Sequence, residues 1–316
     1  MKHCNILLSI DKLDAPFGEM REKLLQAGCN VTVADCNDFN LKGADIFIGK
    51  KMSAEQLSTA DCLKAVFAYK TGADEFPLEE LAKRDIPLVN SHVNSDLIAE
   101  YAVSLAFCLV SRIVDFDRGM RQGDWRLDNP YWDSLLDMKV GLVGYGGIGK
   151  ACDALLRRMG VETYTLNRGK NYPIPACGTL DELCEECDLL ILSLPKTDDT
   201  DNMFDERVLK LLKGKYLVNV GRSNAVDEKA LYEALANGVL KGAAIDTWRE
   251  KARSVDERLK PYDYPFETLD NVVLSSHKAM QTNSGHARYV ADTLESVLQY
   301  LNDGTLRNTV DLKKGY

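Results

Sequence analysis

The run Lys139-Val140-Gly141-Leu142-Val143-Gly144-Tyr145-Gly146-Gly147-Ile148-Gly149-Lys150 constrains this chain more than any other stretch. An apolar strand over 140–143 enters Gly-x-Gly-x-x-Gly, and the pattern then turns helical through Ala151, Ala154, Leu155 and Met159. Each spaced glycine answers a physical need. Gly144 permits the tight turn, Gly146 lets backbone approach a pyrophosphate, and Gly149 allows helix and strand to pack closely. The phosphates then rest on unpaired N–H groups at the positive end of the helix. A glycine triplet alone also suits a strand–helix turn that binds nothing. Set between a strand and a helix, it predicts a dinucleotide site. The motif stands near the middle of 316 residues, so something else is built first.

That length suggests two domains with a core each. Hydrophobic residues make up 45% and charged residues 28%, as in a soluble globular protein. A formal charge of −9 argues against a nucleic-acid partner, which needs a basic face. The apolar run 6–10 meets Asp11 too early for a secretory signal. The most apolar helical run, 101–110, is too short to span a bilayer. A cytoplasmic location without a membrane partner is expected. The nine cysteines are scattered through apolar segments and read as reduced, mostly buried thiols. Cys184 and Cys187, with Cys177 upstream, lack the second pair that a zinc site needs. No metal is expected, and the pair reads as the end of a helix entering a strand.

Before the glycine motif, strand and helix alternate. Strands are expected over 5–10, 31–34, 45–48, 65–69 and 87–90, with helices over 17–27, 53–60 and 78–84, the last opened by Pro77 in its first turn. This predicts a small doubly wound parallel sheet without a phosphate loop. One long amphipathic helix is expected over 98–120, followed by a loop or arm carrying Trp125 and Trp132. From Lys139 a second alternation begins, with strands over 140–143, 162–166, 189–193, 216–220, 242–245 and 272–275. Asp227 is placed to cap a helix over 228–236, and a final helix is expected over 284–302.

The strand after the motif ends at Asn167-Arg168, where a dinucleotide fold touches the adenosine ribose. An acidic residue there would accept from a 2′-hydroxyl and repel a 2′-phosphate. Asn167, Arg168 and Lys170 suit a phosphate dianion instead, which favours NADP(H) over NAD(H). Arg168 facing solvent is the plain alternative. Three further groups end predicted strands: Leu194-Pro195-Lys196-Thr197, Asn219-Val220-Gly221-Arg222-Ser223 and Ser275-Ser276-His277. Open α/β sheets bind ligands at those ends. An arginine there calls for an anion, which a substrate carboxylate supplies through two parallel hydrogen bonds. A histidine there can exchange a proton with a hydroxyl or carbonyl. Singly, Arg222 also suits a structural ion pair and His277 a hydrogen-bonded core histidine.

In combination these groups resemble the D-isomer-specific 2-hydroxyacid dehydrogenases. The matching pieces are Gly72-Ala73-Asp74, Ile98-Ala99-Glu100-Tyr101-Ala102, Gly123-Asp124-Trp125, the 144–149 loop, Leu194 to Thr197, Asn219 to Ser223, Ala244-Ile245-Asp246 and Asn271 to His277. The resemblance implies two doubly wound parallel-sheet α/β domains. A Rossmann nucleotide domain over 99–283 would be inserted into a flavodoxin-like substrate domain formed by 1–98 and 284–316. It implies hydride transfer between NAD(P)H and a small 2-oxo acid to give a D-2-hydroxy acid, as in glyoxylate/hydroxypyruvate reductases. It further implies a homodimer, with the long helix and the tryptophan arm at its interface.

By position, the resemblance makes Arg222 the carboxylate ligand and His277 the proton donor. Backbone near Lys70, Thr71 and Gly72 would help to hold the carboxylate, and Lys70 could meet a second anionic group. Gly144, Tyr145, Gly146, Gly147, Ile148, Gly149, Asn167, Arg168, Leu194, Pro195, Val220, Gly221, Arg222, Asp246 and His277 would line the cofactor. One departure stands out. The family usually places a glutamate five residues after the motif's aspartate, where it orients the histidine. Here that position is Lys251, and Glu250 stands one residue early. Glu250 is the expected partner of His277, with Asp256 and Glu257 as further candidates, whereas Lys251 beside His277 would disfavour the imidazolium. The rival readings are an NAD-linked dehydrogenase of a larger or doubly anionic acid and a dinucleotide-responsive, corepressor-like binding protein.

Overall fold

A computed structural model describes residues 4–125, 131–249 and 260–316. The chain divides into two compact units, Met1–Asn94 with Thr282–Tyr316, and Ser95–Gln281. The first begins β1 (Asn5–Ile10), α1 (Ala15–Gln26), β2 (Asn30–Asp35), β3 (Ile46–Gly49), α2 (Ala54–Ser58), β4 (Ala65–Ala68), α3 (Leu78–Lys83) and β5 (Leu88–Val89). Its strands pair in parallel in the order β2-β1-β3-β4-β5. β3 and β4 are buried at every position, as strands covered on both faces must be. The Asp14 side chain caps α1 by accepting from the Phe17 N–H, and Ser53 and Gln56 form a capping box at α2. Pro77 is the N-cap of α3 rather than a first-turn residue.

The second unit contains α4 (Ser95–Val110), α5 (Ile113–Arg121), β6 (Lys139–Val143), α6 (Gly147–Arg158), β7 (Glu162–Leu166), β8 (Ala176–Cys177), α7 (Leu180–Glu186), β9 (Leu189–Leu192), α8 (Glu206–Leu211), β10 (Tyr216–Asn219), α9 (Glu228–Ala236), β11 (Gly242–Ile245) and β12 (Val272–Leu274). The chain then returns to the first unit as α10 (Gly285–Asp303), closed by Gly304 in the left-handed region. Seven parallel strands run in the order β12-β11-β10-β9-β6-β7-β8. Residues of α7, α8 and α9 pack on one face, and residues of α4 and α6 on the other. Strand order reverses between β6 and β9, the switch point at which such sheets leave a crevice.

Two larger departures from the expected elements stand out. The single helix over 98–120 is two helices, bent by 61°. Ser111 Oγ donates back to the Phe107 carbonyl, and Arg112 takes φ 55° while its guanidinium pairs with Asp115. A left-handed residue ends the helical hydrogen-bond ladder, so α5 starts in a new direction. The two-residue edge strand β8 is an addition to the expected set. Cys187 is the C-cap of α7 and leads into β9, and burial pushes the Cys184 and Cys187 thiols up to about 12. No single helix among the described residues is long and apolar enough to cross a membrane.

Candidate active site

In the seven-stranded sheet every strand points the same way, so the loops after β6, β7, β9, β10, β11 and β12 leave one common edge. The glycine loop leaves that edge after β6, beside the switch point between β6 and β9. Gly144 takes φ +100°, a conformation L side chains avoid, and a Cβ on Gly149 would lie 2.1 Å from the Gly144 carbonyl oxygen. Both glycines are required by the protein's own backbone. Gly146 is different: a Cβ there would meet nothing within 4 Å. It is also the N-cap of α6 and brings no side-chain hydrogen bond to the helix's first N–H groups. That end is open to an acceptor from outside, which fits a pyrophosphate.

At the end of β7, Asn167 Oδ1 accepts from the Gly169 N–H at 2.8 Å and turns the backbone. Arg168 is exposed, and its Nη2 lies 3.7 Å from Asp199 Oδ2. After β9, Ser193 Oγ donates to the Gly144 carbonyl at 2.9 Å and ties the two loops together. Leu194 is buried, and its backbone lies so close to Gly221 that a Cβ there would stand 2.6 Å from the Leu194 nitrogen. At the end of β10, buried Asn219 clamps the turn from both sides. Its Oδ1 accepts from the Gly221 N–H at 3.0 Å, and its Nδ2 donates to the Arg222 carbonyl at 3.1 Å. Arg222 is half-buried, and its Nη1 donates to the Gly221 carbonyl at 3.2 Å.

His277 follows β12 with φ 57°, an uncommon conformation for a residue other than glycine. Asp246, just beyond β11 and fully buried, holds that turn. Its carbonyl accepts from the His277 N–H at 2.9 Å. Its Oδ1 accepts from the Lys278 N–H at 2.8 Å and from Ser275 Oγ, and its Oδ2 accepts from the Ala279 N–H at 3.1 Å. Ser275 in turn meets the Tyr101 hydroxyl at 2.9 Å, and its carbonyl accepts from Trp248 Nε1 at 2.8 Å. Asp246 thus shares its carboxylate among three donors of the His277 turn. Sequence reasoning gives no supporting role to Asn219, Ser275, Tyr101 or Trp248. Their only signal is a polar side chain, or an indole N–H, at the end of an apolar strand or on a core helix.

In the first unit, the loop after β4 carries Lys70, Thr71 and Gly72. The Lys70 ammonium pairs with Glu75. Thr71 Oγ1 donates to the Ser91 carbonyl at 2.8 Å and meets the Tyr289 hydroxyl at 2.9 Å, while the Thr71 carbonyl accepts from Asn90 Nδ2 at 2.6 Å. Glu250, Lys251, Asp256 and Glu257 lie outside the described residues.

Residues 103–279 match the family model for the D-isomer specific 2-hydroxyacid dehydrogenase NAD binding domain. The chain belongs to that family. As a D-2-hydroxyacid dehydrogenase it is an oxidoreductase that uses a nicotinamide cofactor on a 2-oxo acid. It is 30% identical over 289 residues to a glyoxylate reductase of Thermofilum pendens, covering 84% of this chain and 83% of the relative. It is 31% identical over 265 residues to a glyoxylate reductase of Korarchaeum cryptofilum, covering 77% and 75%. Among solved structures, a protein from Pyrococcus horikoshii OT3 superposes with a TM-score of 0.84 at 28% identity, over 98% of this chain and 95% of that one. An NADPH-dependent glyoxylate/hydroxypyruvate reductase from Sinorhizobium meliloti shares the fold with a TM-score of 0.82 at 24% identity, over 99% and 98%.

Proposed function

We propose that this dehydrogenase uses NADPH to reduce glyoxylate to glycolate and hydroxypyruvate to the D-2-hydroxy acid D-glycerate. The observation that carries this reading is the pair of clamped turns after β10 and β12: Asn219 fixes the Arg222 backbone, and Asp246 holds His277 in a left-handed conformation on the same sheet edge as the glycine loop. The curated relatives named above as glyoxylate reductases support the substrate class. Ser95–Gln281 is the nucleotide domain in this reading, and the other unit is the substrate domain.

Arg222 binds the substrate carboxylate through two parallel hydrogen bonds and draws electron density from the adjoining 2-oxo group. His277 gives its proton to the oxygen that becomes the hydroxyl and takes it back in the reverse direction. Glu250 orients the imidazole. The amides of Thr71 and Gly72 add donors to the carboxylate, while Lys70, paired with Glu75, has its charge already engaged. The bound nicotinamide supplies the hydride to the substrate carbon, and the protein supplies orientation and charge.

Arg168 faces the ribose in this reading and pairs with a 2′-phosphate. The absence of an acidic residue at Asn167-Arg168 supports NADPH, whereas Asp199, 3.7 Å from Arg168, favours the NADH reading. A homodimer is supported by exposed aromatic surface on the second unit, where Trp125 is 70%, Tyr131 98% and Trp132 57% exposed. Turnover with NADPH and NADH against a panel of 2-oxo acids tests the reading. NADPH oxidation with glyoxylate and hydroxypyruvate is expected. No oxidation with any acid overturns it, and a strong preference for NADH removes the role given to Arg168. For the partner of His277, Glu250→Gln should shift the pH dependence of turnover, and a shift with Lys251→Ala alone would reassign that role.

A further inference from the structure

A second polar assembly lies beneath the glycine loop. Asp153 on α6 is 7% exposed, and both of its oxygens are occupied. Oδ2 accepts from the Tyr145 hydroxyl at 2.7 Å, and Oδ1 accepts from the Thr163 hydroxyl of β7 at 2.5 Å. Tyr145 is the residue between the first two spaced glycines, so this bond reaches the phosphate loop itself. Its ring meets Tyr172 edge-on, with centroids 5.6 Å apart and planes at 87°. The Tyr172 hydroxyl accepts from the Arg168 N–H at 3.3 Å. One buried carboxylate therefore anchors a chain of contacts that runs from the glycine loop to the segment after β7.

A carboxylate inside a helix–sheet interface is costly unless its oxygens are satisfied, and an apolar side chain would fill the same place without that cost. The hydrogen bond to Tyr145 does something an apolar residue could not do: it fixes the direction of a side chain that rises from the loop. We propose that Asp153 is a positioning residue for the adenosine half of the dinucleotide site. Through Tyr145 it sets the glycine loop, and through the Tyr145–Tyr172 ring contact it sets the backbone of Arg168. This rests on the glycine loop being the dinucleotide site.

Calorimetric titration of the cofactor-free protein with NADPH and with ADP tests it, because ADP lacks the nicotinamide half. Tyr145→Phe, which removes only the hydroxyl, should weaken both ligands about tenfold, the scale of one hydrogen bond to a charged group. Its KM for the dinucleotide should rise while its KM for the 2-oxo acid stays in place. The double variant Tyr145→Phe with Asp153→Asn should bind no more weakly than the weaker single variant, since both act through one bond. If Asp153→Asn fails to fold, Tyr145→Phe carries the test alone. Wild-type affinity for both ligands in folded Tyr145→Phe overturns the proposal. Gly146→Val separates the underlying reading. The protein leaves open space for a side chain at that position, so this substitution should block NADPH and leave the fold intact. Unaltered NADPH binding by the Gly146→Val protein would refute the loop assignment itself.

Discussion

The His277 N–H donates to the Asp246 carbonyl at 2.9 Å, and the Asp246 carboxylate accepts the two backbone N–H groups that follow. A single buried residue thus holds the left-handed turn on which the proposed acid–base group stands. Asp246→Asn should be nearly isosteric and still damaging. Donors approach both carboxylate oxygens, so either amide orientation sets an NH2 group against an N–H. One unmet buried bond costs about 1–3 kcal/mol, or about ten- to a hundredfold in kcat if the turn shifts. Steady-state kinetics with a folded variant check this, and wild-type kcat would show that His277 does not depend on the turn.

Arg222→Lys tests the carboxylate role. A lysine keeps the charge but loses the planar pair of donors, so one of two charged hydrogen bonds is lost. At about 1.5–3 kcal/mol for such a bond, kcat/KM for glyoxylate should fall about ten- to a hundredfold. The Kd for NADPH should change little by comparison. An unchanged kcat/KM would remove Arg222 from substrate binding.

Arg168 and Asp199 form an exposed pair at 3.7 Å, and in the proposed reading they pull cofactor preference in opposite directions. Asp199→Asn should lower the KM for NADPH and leave the KM for NADH in place, because only a 2′-phosphate competes with that carboxylate. Arg168→Ala should raise the KM for NADPH about tenfold, the loss of one charged contact. Equal changes with both cofactors would mean that neither side chain meets the 2′ position.

Much of the fold was legible because it rests on local rules. Apolar runs marked β3, β4, β9, β10 and β11, which are buried at every position. Asp227 opened α9 where capping chemistry placed it. The glycine loop and the strand-end groups were found for the same reason, since motif spacing is local. The break after Val110 was not legible, because nothing in the identity of Arg112 marks a left-handed residue. Only its pairing with Asp115 and the back-bond of Ser111 make the bend. The contacts that support the site were equally hidden. Asp246 meets donors about 30 residues away, and Tyr101 reaches Ser275 over 174 positions, contacts that exist only once β11 and β12 have paired.

Asp45 ties the start of β1 to the strand beside it and gives the first unit a pH-dependent contact. Its Oδ2 accepts from the Asn5 N–H at 2.9 Å, and its Oδ1 accepts from Lys64 Nζ at 2.7 Å. Burial works against the charged form, but these two donors outweigh it and hold the carboxyl below its ordinary value of 3.8. A group whose pKa is lowered on folding stabilises the folded state fully above its unfolded pKa. That stabilisation is lost as pH falls through the folded value. Asp45→Asn should therefore lower the Tm at pH 7 by about 2–4 °C, corresponding to about 1 kcal/mol. The difference from wild type should shrink as pH drops below about 3.8, where the carboxyl of the unfolded chain takes up a proton before the native one does. Thermal melts of both proteins at pH 7 and pH 3 decide it. An equal gap at the two pH values would mean that Asp45 acts through its shape and its hydrogen bonds as an acceptor, not through its charge.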